Sequence, residues 1–162
     1  MDYITLKNTC LFLGLISFSL STSSCTKDQV DEISVIPSIE LLSISSDTIK
    51  EFEDELIIII AYEDGDGDVG FEETDQYALF VRDIRLEEFD EFYLGPIAPP
   101  GVNVPITGNL NIEFPSLFLF GNGNYETTRF EIRMVDRRMN ESNLLVTEEI
   151  IIKKWYEISK LS

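Results

Sequence analysis

The chain has 162 residues, 30 acidic against 12 basic side chains, a net charge of −18 and no histidine. So negative a surface repels nucleic-acid phosphates, which excludes nucleic acid as a partner and favours cations or basic protein surfaces. Without histidine there is no Ser-His-Asp or Cys-His nucleophile, no His-bearing zinc site and no imidazole base; only carboxylate chemistry or an oxygen-ligated metal is left.

The N-terminus reads as three zones. Met1 to Thr9 carries one cation, Lys7; Cys10 to Leu20 (CLFLGLISFSL) is an apolar run of 11 residues; Ser21 to Ser24 is small and polar, and Cys25 follows. A positive start, a short apolar centre and a small-residue cleavage site predict a secretory signal over residues 1–24. About 20 apolar residues are needed to span a bilayer, so the run is too short for a transmembrane helix. Losing 24 of 162 residues leaves 138, the size of one domain. It also removes Cys10, so the remaining Cys25 has no disulfide partner, and lipidation accounts for it.

The small residues before Cys25 resemble the lipobox of bacterial lipoproteins, in the looser form used by Bacteroidota, with Thr22 at the usual aliphatic place. The following Thr-Lys-Asp-Gln-Val-Asp-Glu is similar to the short Lys-plus-acid signal that sends such lipoproteins to the outer face of the outer membrane. The resemblance implies acylation of Cys25, a membrane held through the lipid anchor and an exported location. Two or more acyl chains, at about 0.8 kcal/mol per buried methylene, anchor stably. Residues 25–37 then form a lipidated cysteine with an acidic tether reaching roughly 40 Å, and residues 38–162 form the domain.

Strand signals follow in order. Ile39 to Ser45 comes first. Glu55 to Tyr62, with four consecutive isoleucines, predicts a strand buried on both faces. Tyr77 to Leu86 and a short Phe92-Tyr-Leu precede the Gly/Pro-rich stretch at 95–101. Val104 to Phe114 and Leu117 to Phe120 are separated by Pro115. Arg129 to Val135 alternates cleanly, predicting a strand with one face in water, and Leu145 to Ile152 closes the set. About seven short strands without a helical period predict an all-β, antiparallel immunoglobulin-like β-sandwich.

The segment with chemical content is Tyr62-Glu-Asp-Gly-Asp-Gly-Asp-Val-Gly-Phe-Glu-Glu73. Asp64, Asp66 and Asp68 alternate with glycines that let the backbone curl, so that oxygens converge as Ca²⁺ requires. Against the EF-hand loop, Asp64 and Asp66 fall at positions 3 and 5, Gly67 at 6 and Glu73 at the bidentate position 12. Tyr62 takes position 1, and a strand precedes, so the segment resembles a calcium-loop fragment on a β-hairpin or inter-strand turn and not a full EF-hand. A second turn, Asp136 to Asn143, resembles the Asp-x-x-Gly-Asn-x-Ser turn of bacterial immunoglobulin-like domains, with Met139 at the glycine. If two strands separate Leu86 from Arg129, Asp136 and Asn140 join the Asp64–Asp68 loop; three would put them at opposite ends. The candidate ligand set for Ca²⁺ is thus Asp64, Asp66, Asp68, Glu73, Asp136 and Asn140. The same residues also serve as ordinary Asp-Gly and Asx turns, and both readings stand at this point.

Two weaker signals are Asp47-Thr48-Ile49, which resembles the O-glycan acceptor triplet of Bacteroidota exported proteins, and Phe89 to Tyr93 (FDEFY), a candidate sugar platform. Taken together, the motifs resemble the small lipoproteins common in Bacteroidota. That resemblance implies an address and a fold but no activity. The expected function is a non-enzymatic binding or structural module of the cell envelope with a protein or glycan partner. An accessory subunit of an outer-membrane uptake or secretion system is an alternative, and a small carboxylate-dependent hydrolase, needing two acids about 5–9.5 Å apart in a cleft, is another.

Overall fold

The computed structural model describes residues 33–155. The expected signal, Cys25 and most of the expected tether lie outside the described residues. Ten strands make up the regular structure: β1 Ser38–Ile44, β2 Thr48–Lys50, β3 Leu56–Asp64, β4 Leu79–Asp83, β5 Asp90–Phe92, β6 Ile106–Phe114, β7 Tyr125–Thr128, β8 Phe130–Met134, β9 Leu145–Val146 and β10 Ile150–Lys153. The described residues contain no helix, hence none long and apolar enough to cross a membrane. The fold is all-β, built of open sheets.

The sheets run β1-β3-β6, β2-β10-β7 and β5-β4-β8-β9. The last two are consecutive stretches of the same chain segments, because β7 passes into β8 across Arg129 and β9 into β10 across residues 147–149. Thr147 spans the gap: its amide donates to the Phe130 carbonyl at 2.9 Å, and its hydroxyl accepts the Phe130 amide at 2.9 Å. Apolar sides of all three sheets meet in one core that includes Ile58, Ile60, Val81, Phe130, Ile132 and Ile152.

Period-2 alternation is obeyed where it was clearest. In β8, Phe130, Ile132 and Met134 are buried while Glu131 and Arg133 are partly exposed. The isoleucine run is a correction. Leu56, Ile58 and Ile60 are fully buried, but Ile57 and Ile59 are only half covered, because β3 lies between β1 and β6 with just their side chains shielding its other face.

Other departures share one cause, competition from side chains and distant strands. Leu117 to Phe120 forms no strand. The Glu126 carboxylate accepts the Phe120 and Gly121 amides at 3.1 and 2.7 Å, and the Leu117 carbonyl accepts the Phe52 amide, so these groups bond outside any ladder. Strands β2 and β7 carry too few apolar residues to signal themselves; β2 exists because it pairs with β10, and that pairing is parallel in an otherwise antiparallel set. The domain also begins before residue 38: the Ser34 carbonyl accepts the Gly65 amide at 2.7 Å, and Pro37 is buried.

The segment expected as a strand to Leu86 stops at Asp83, whose buried carboxylate draws the chain back. It accepts the Arg85 amide and guanidinium, with the closest contact at 2.6 Å, and the Thr128 hydroxyl. Arg85 also holds Glu126 at 3.0 Å and lies over the Phe120 ring. Burial alone pushes the Asp83 carboxyl up, but the hydrogen bonds from Arg85 and Thr128 outweigh it and hold it below its usual range. Arg85→Leu would leave that carboxylate buried and unpaired, at a cost of about 3 kcal/mol or more. Urea unfolding tests this, and a loss under about 1 kcal/mol would remove the network from the fold's support.

Candidate metal centre

The acidic turn leaves the end of β3 and is gripped from several sides. Gly65 packs against the Ile33–Ser34 backbone, and a Cβ there would collide with the Ile33 carbonyl. Gly67 has φ +72° and faces the Val104 carbonyl at equally close range, so no larger residue fits either place. Val69 forms a bridge with Asp136, and the Arg137 amide donates to the Asp68 carbonyl at 3.1 Å. The Arg137 side chain reaches back to the Asp68 and Gly67 carbonyls at 2.8 and 3.1 Å.

This clamp turns the aspartates inward. Asp64 is fully buried, Asp66 is 2 % exposed and the Asp68 side chain 15 % exposed. One carboxylate oxygen from each lies within 4.8 Å of the other two. Asp64 Oδ2 accepts the Asp68 amide at 2.8 Å, Asp66 Oδ2 accepts from Arg138 Nη1, and Asp68 Oδ2 lies 3.6 Å from Arg138 Nε. The Oδ1 atoms of all three are buried with no hydrogen-bond partner. A cleft of about 270 Å³, lined by Asp66, Asp68, Gly101, Asn103 and both arginines, opens onto the cluster.

Of the six expected ligands the structure gathers these three. Asp136 is buried beside them, but its oxygens are occupied: Oδ1 accepts the Arg138 and Asn140 amides at 2.9 and 2.8 Å, and Oδ2 accepts Asn140 Nδ2 at 2.7 Å. Asp136 and Asn140 therefore close their own turn and hold the loop, and Asp136 adds charge. Glu73 is exposed on the following turn, outside the group. The two turns share an end because β7 runs on into β8, leaving only β5 and β6 as separate strands between Leu86 and Arg129. Met139 adopts φ 66°, the left-handed conformation for which the related turn uses glycine.

Arg137 and Arg138 were not anticipated, although an adjacent arginine pair in so acidic a chain is itself a signal. The other weak signals land elsewhere. Phe89 is half-buried with the Arg82 and Arg133 guanidinium groups over its ring at 4.8 and 5.1 Å, while Phe92 and Tyr93 are exposed. Thr48 sits in β2, with Ile49 beside it in the core. Comparison with protein-family models, curated proteins and solved structures finds no match for the chain.

Four carboxylates (Asp64, Asp66, Asp68, Asp136) against two guanidinium groups leave an excess of two negative charges, the charge of one divalent cation. Burial pushes the Asp68 carboxyl up to about 6, helped by the charges of Asp136, Asp66 and Asp64 and opposed by Arg138. Asp64 is raised too, first by burial and then by its neighbour Asp66. In the unfolded chain an aspartate releases its proton near pH 3.9. Between there and about pH 6 the folded state holds more protons, so stability falls as pH rises through that window. Thermal melts in EDTA should show this decline from about pH 4 to 6.5, and Asp68→Asn should flatten it; an equal slope in the variant contradicts the assignment.

Proposed function

We propose that this chain is an exported lipoprotein, anchored through Cys25, that displays an immunoglobulin-like β-sandwich as a non-enzymatic binding or structural module whose acidic turn takes Ca²⁺. Support for the sandwich comes from strand order. β1-β3-β6 supplies one side of the core and β5-β4-β8-β9, extended by β7, β10 and β2, supplies the other. The β3–β4 and β8–β9 connections share an end, as the second–third and sixth–seventh loops do in such domains.

The observation that carries the cation reading is the trio of buried, unpartnered Oδ1 atoms on Asp64, Asp66 and Asp68. A buried carboxylate oxygen without a donor is costly, and three on neighbouring aspartates compound the cost. Oxygens bound to one Ca²⁺ at 2.3–2.6 Å lie at most roughly 5 Å apart, a span this cluster satisfies. All-oxygen donors suit a hard cation, and the adjoining cleft gives water access to complete the shell. Arg138, whose side chain is 59 % exposed, neutralises Asp66 and Asp68 from the rim, and a bound cation would take over that neutralisation if the arginine swung into solvent.

Calcium should bind in the weak extracellular range, about 0.1–1 mM. At about 10 mM this corresponds to a stabilisation of roughly 1.4–2.7 kcal/mol. Calorimetric titration and thermal melts of the purified chain, beside Asp66→Asn, read both quantities. Neither heat nor a shift in Tm at that concentration sinks the cation reading. The anchor is tested separately: clickable palmitate should label the native protein in cells and not Cys25→Ser, and an unlabelled native protein beside a labelled control removes the lipoprotein reading.

A further inference from the structure

The three lysines among residues 33–155 are Lys50, Lys153 and Lys154, and all line one groove. It lies at the end of the domain where β3 begins, away from the acidic turn at the end of β3. Lys153 faces Lys50 across the β2/β10 pairing and Tyr125 across the β10/β7 pairing. Register partners project to one side of a sheet, and since Ile49 and Ile152 in the next row are buried, this row faces out.

Such a row is unfavourable for the fold by itself. Strands lie about 4.8 Å apart, so Lys50 and Lys153 set like charges side by side, which destabilises the pairing. Lys50 has Glu53 at 3.3 Å, the one acid in the groove lining. Lys153 and Lys154 have no ion pair among the described residues. In a chain with a large excess of acids, lysines gathered on one face make that face suited to a negatively charged group.

Beside the lysines stand flat apolar faces. Tyr125 is 65 % exposed and Trp155 43 %, and both line the groove, whose volume of about 620 Å³ falls in the range of small-ligand sites. Trp155 continues into a smaller hollow with Phe52. Phe52 is exposed although it holds φ 61°, a strained conformation for a residue with a side chain, and its ring stacks on Phe118 at 5.8 Å. Strain and exposure of a large aromatic at one place add nothing to burial; a surface for an external ring uses both.

We propose that this groove binds a uronate-bearing oligosaccharide. The apolar C–H faces of the sugar rings stack on Tyr125 and Trp155, and a ring carboxylate is held by Lys153 and Lys154. A densely charged polyanion meets the repulsion of the remaining acidic surface. An acidic saccharide carries uncharged ring faces on either side of each carboxylate, matching adjoining lysines flanked by Tyr125 and Trp155. The described chain enters beside the acidic turn, at Ile33–Ser34. The proposal does not depend on the reading of Cys25 as the anchor or on the cation site.

Trp155 is the only tryptophan in the chain, so its fluorescence reports on the groove. The purified full chain, in detergent and EDTA, is titrated with trigalacturonate and with its methyl ester. Trigalacturonate should change the Trp155 emission. Binding should weaken about five- to tenfold with the ester, with Lys153→Glu/Lys154→Glu combined, and on raising salt. Tyr125→Ala should weaken both saccharides alike, since it removes stacking and not charge. Circular dichroism confirms that the variants are folded. The proposal is overturned by no response at millimolar trigalacturonate, by an equal response to the ester, or by lysine variants that bind as well as the parent. After removal of detergent, phosphatidylglycerol vesicles shifting Trp155 where trigalacturonate does not would assign the face to a membrane. A concentration-dependent dimer broken by the lysine variants would assign it to a second copy; either result rejects the saccharide.

Discussion

The acidic turn is gripped by the backbone of distant segments, and much of the domain's layout follows from that. Gly65 is pressed against the incoming chain at Ile33–Ser34, Gly67 against the Val104 carbonyl, and Val69 and Asp68 against the Asp136 turn. Four segments distant in sequence thus meet at one end of the sheets and fix where the carboxylates of Asp64, Asp66 and Asp68 must point. Solvated, such a turn would spread its charges outward. Clamped, it turns them inward, and the fold carries three unsatisfied oxygens as a result.

Two buried carboxylate sites in the same domain show what satisfaction changes. Asp83 accepts from Arg85 and Thr128 from several directions, and its acidity is strengthened despite burial. Asp68 is also desolvated, but its neighbours are mainly other carboxylates and its single guanidinium lies 3.6 Å away, so its acidity is weakened. Burial acts in the same direction at both; the partners decide the sign. The Asp83 site is complete within the protein, whereas the Asp64–Asp68 site has a deficit of positive charge. That deficit is what the proposed cation would supply.

Charge is also divided along the length of the domain. Five of the six arginines are committed to internal partners: Arg82 to Glu131, Arg85 to Asp83 and Glu126, Arg133 to Glu141, Arg137 to carbonyls and Arg138 to the acidic turn. The planar guanidinium suits fixed, multidentate contacts. The described lysines, compact and hydrated point charges, line one groove away from the acidic turn. Negative and positive charge are thus concentrated in separate places, which is what the two proposals draw on.

Strand identity along β1, β3, β6 and β8 was legible because runs of Ile, Leu and Phe, alternating or continuous, announce a face that must be buried, a property local to each segment. The alternation of Asp64, Asp66 and Asp68 with glycines was equally local, and it announced a turn able to converge oxygens. What no local pattern contained was pairing. Thr48–Lys50 and Tyr125–Thr128 become strands only through β10, and Leu117 to Phe120 is denied a ladder because the Glu51 and Glu126 carboxylates take the Leu119 and Phe120 amides. Asp136 and Asn140 lie at the acidic turn and bond to each other there; Glu73 lies outside because the chain continues past the clamp into an exposed turn. The lysine–tyrosine row required register between three strands separated by up to a hundred residues. Composition and short-range periodicity settle which residues must hide from water, while the partner each polar group finds depends on contacts that exist only once the chain has closed on itself.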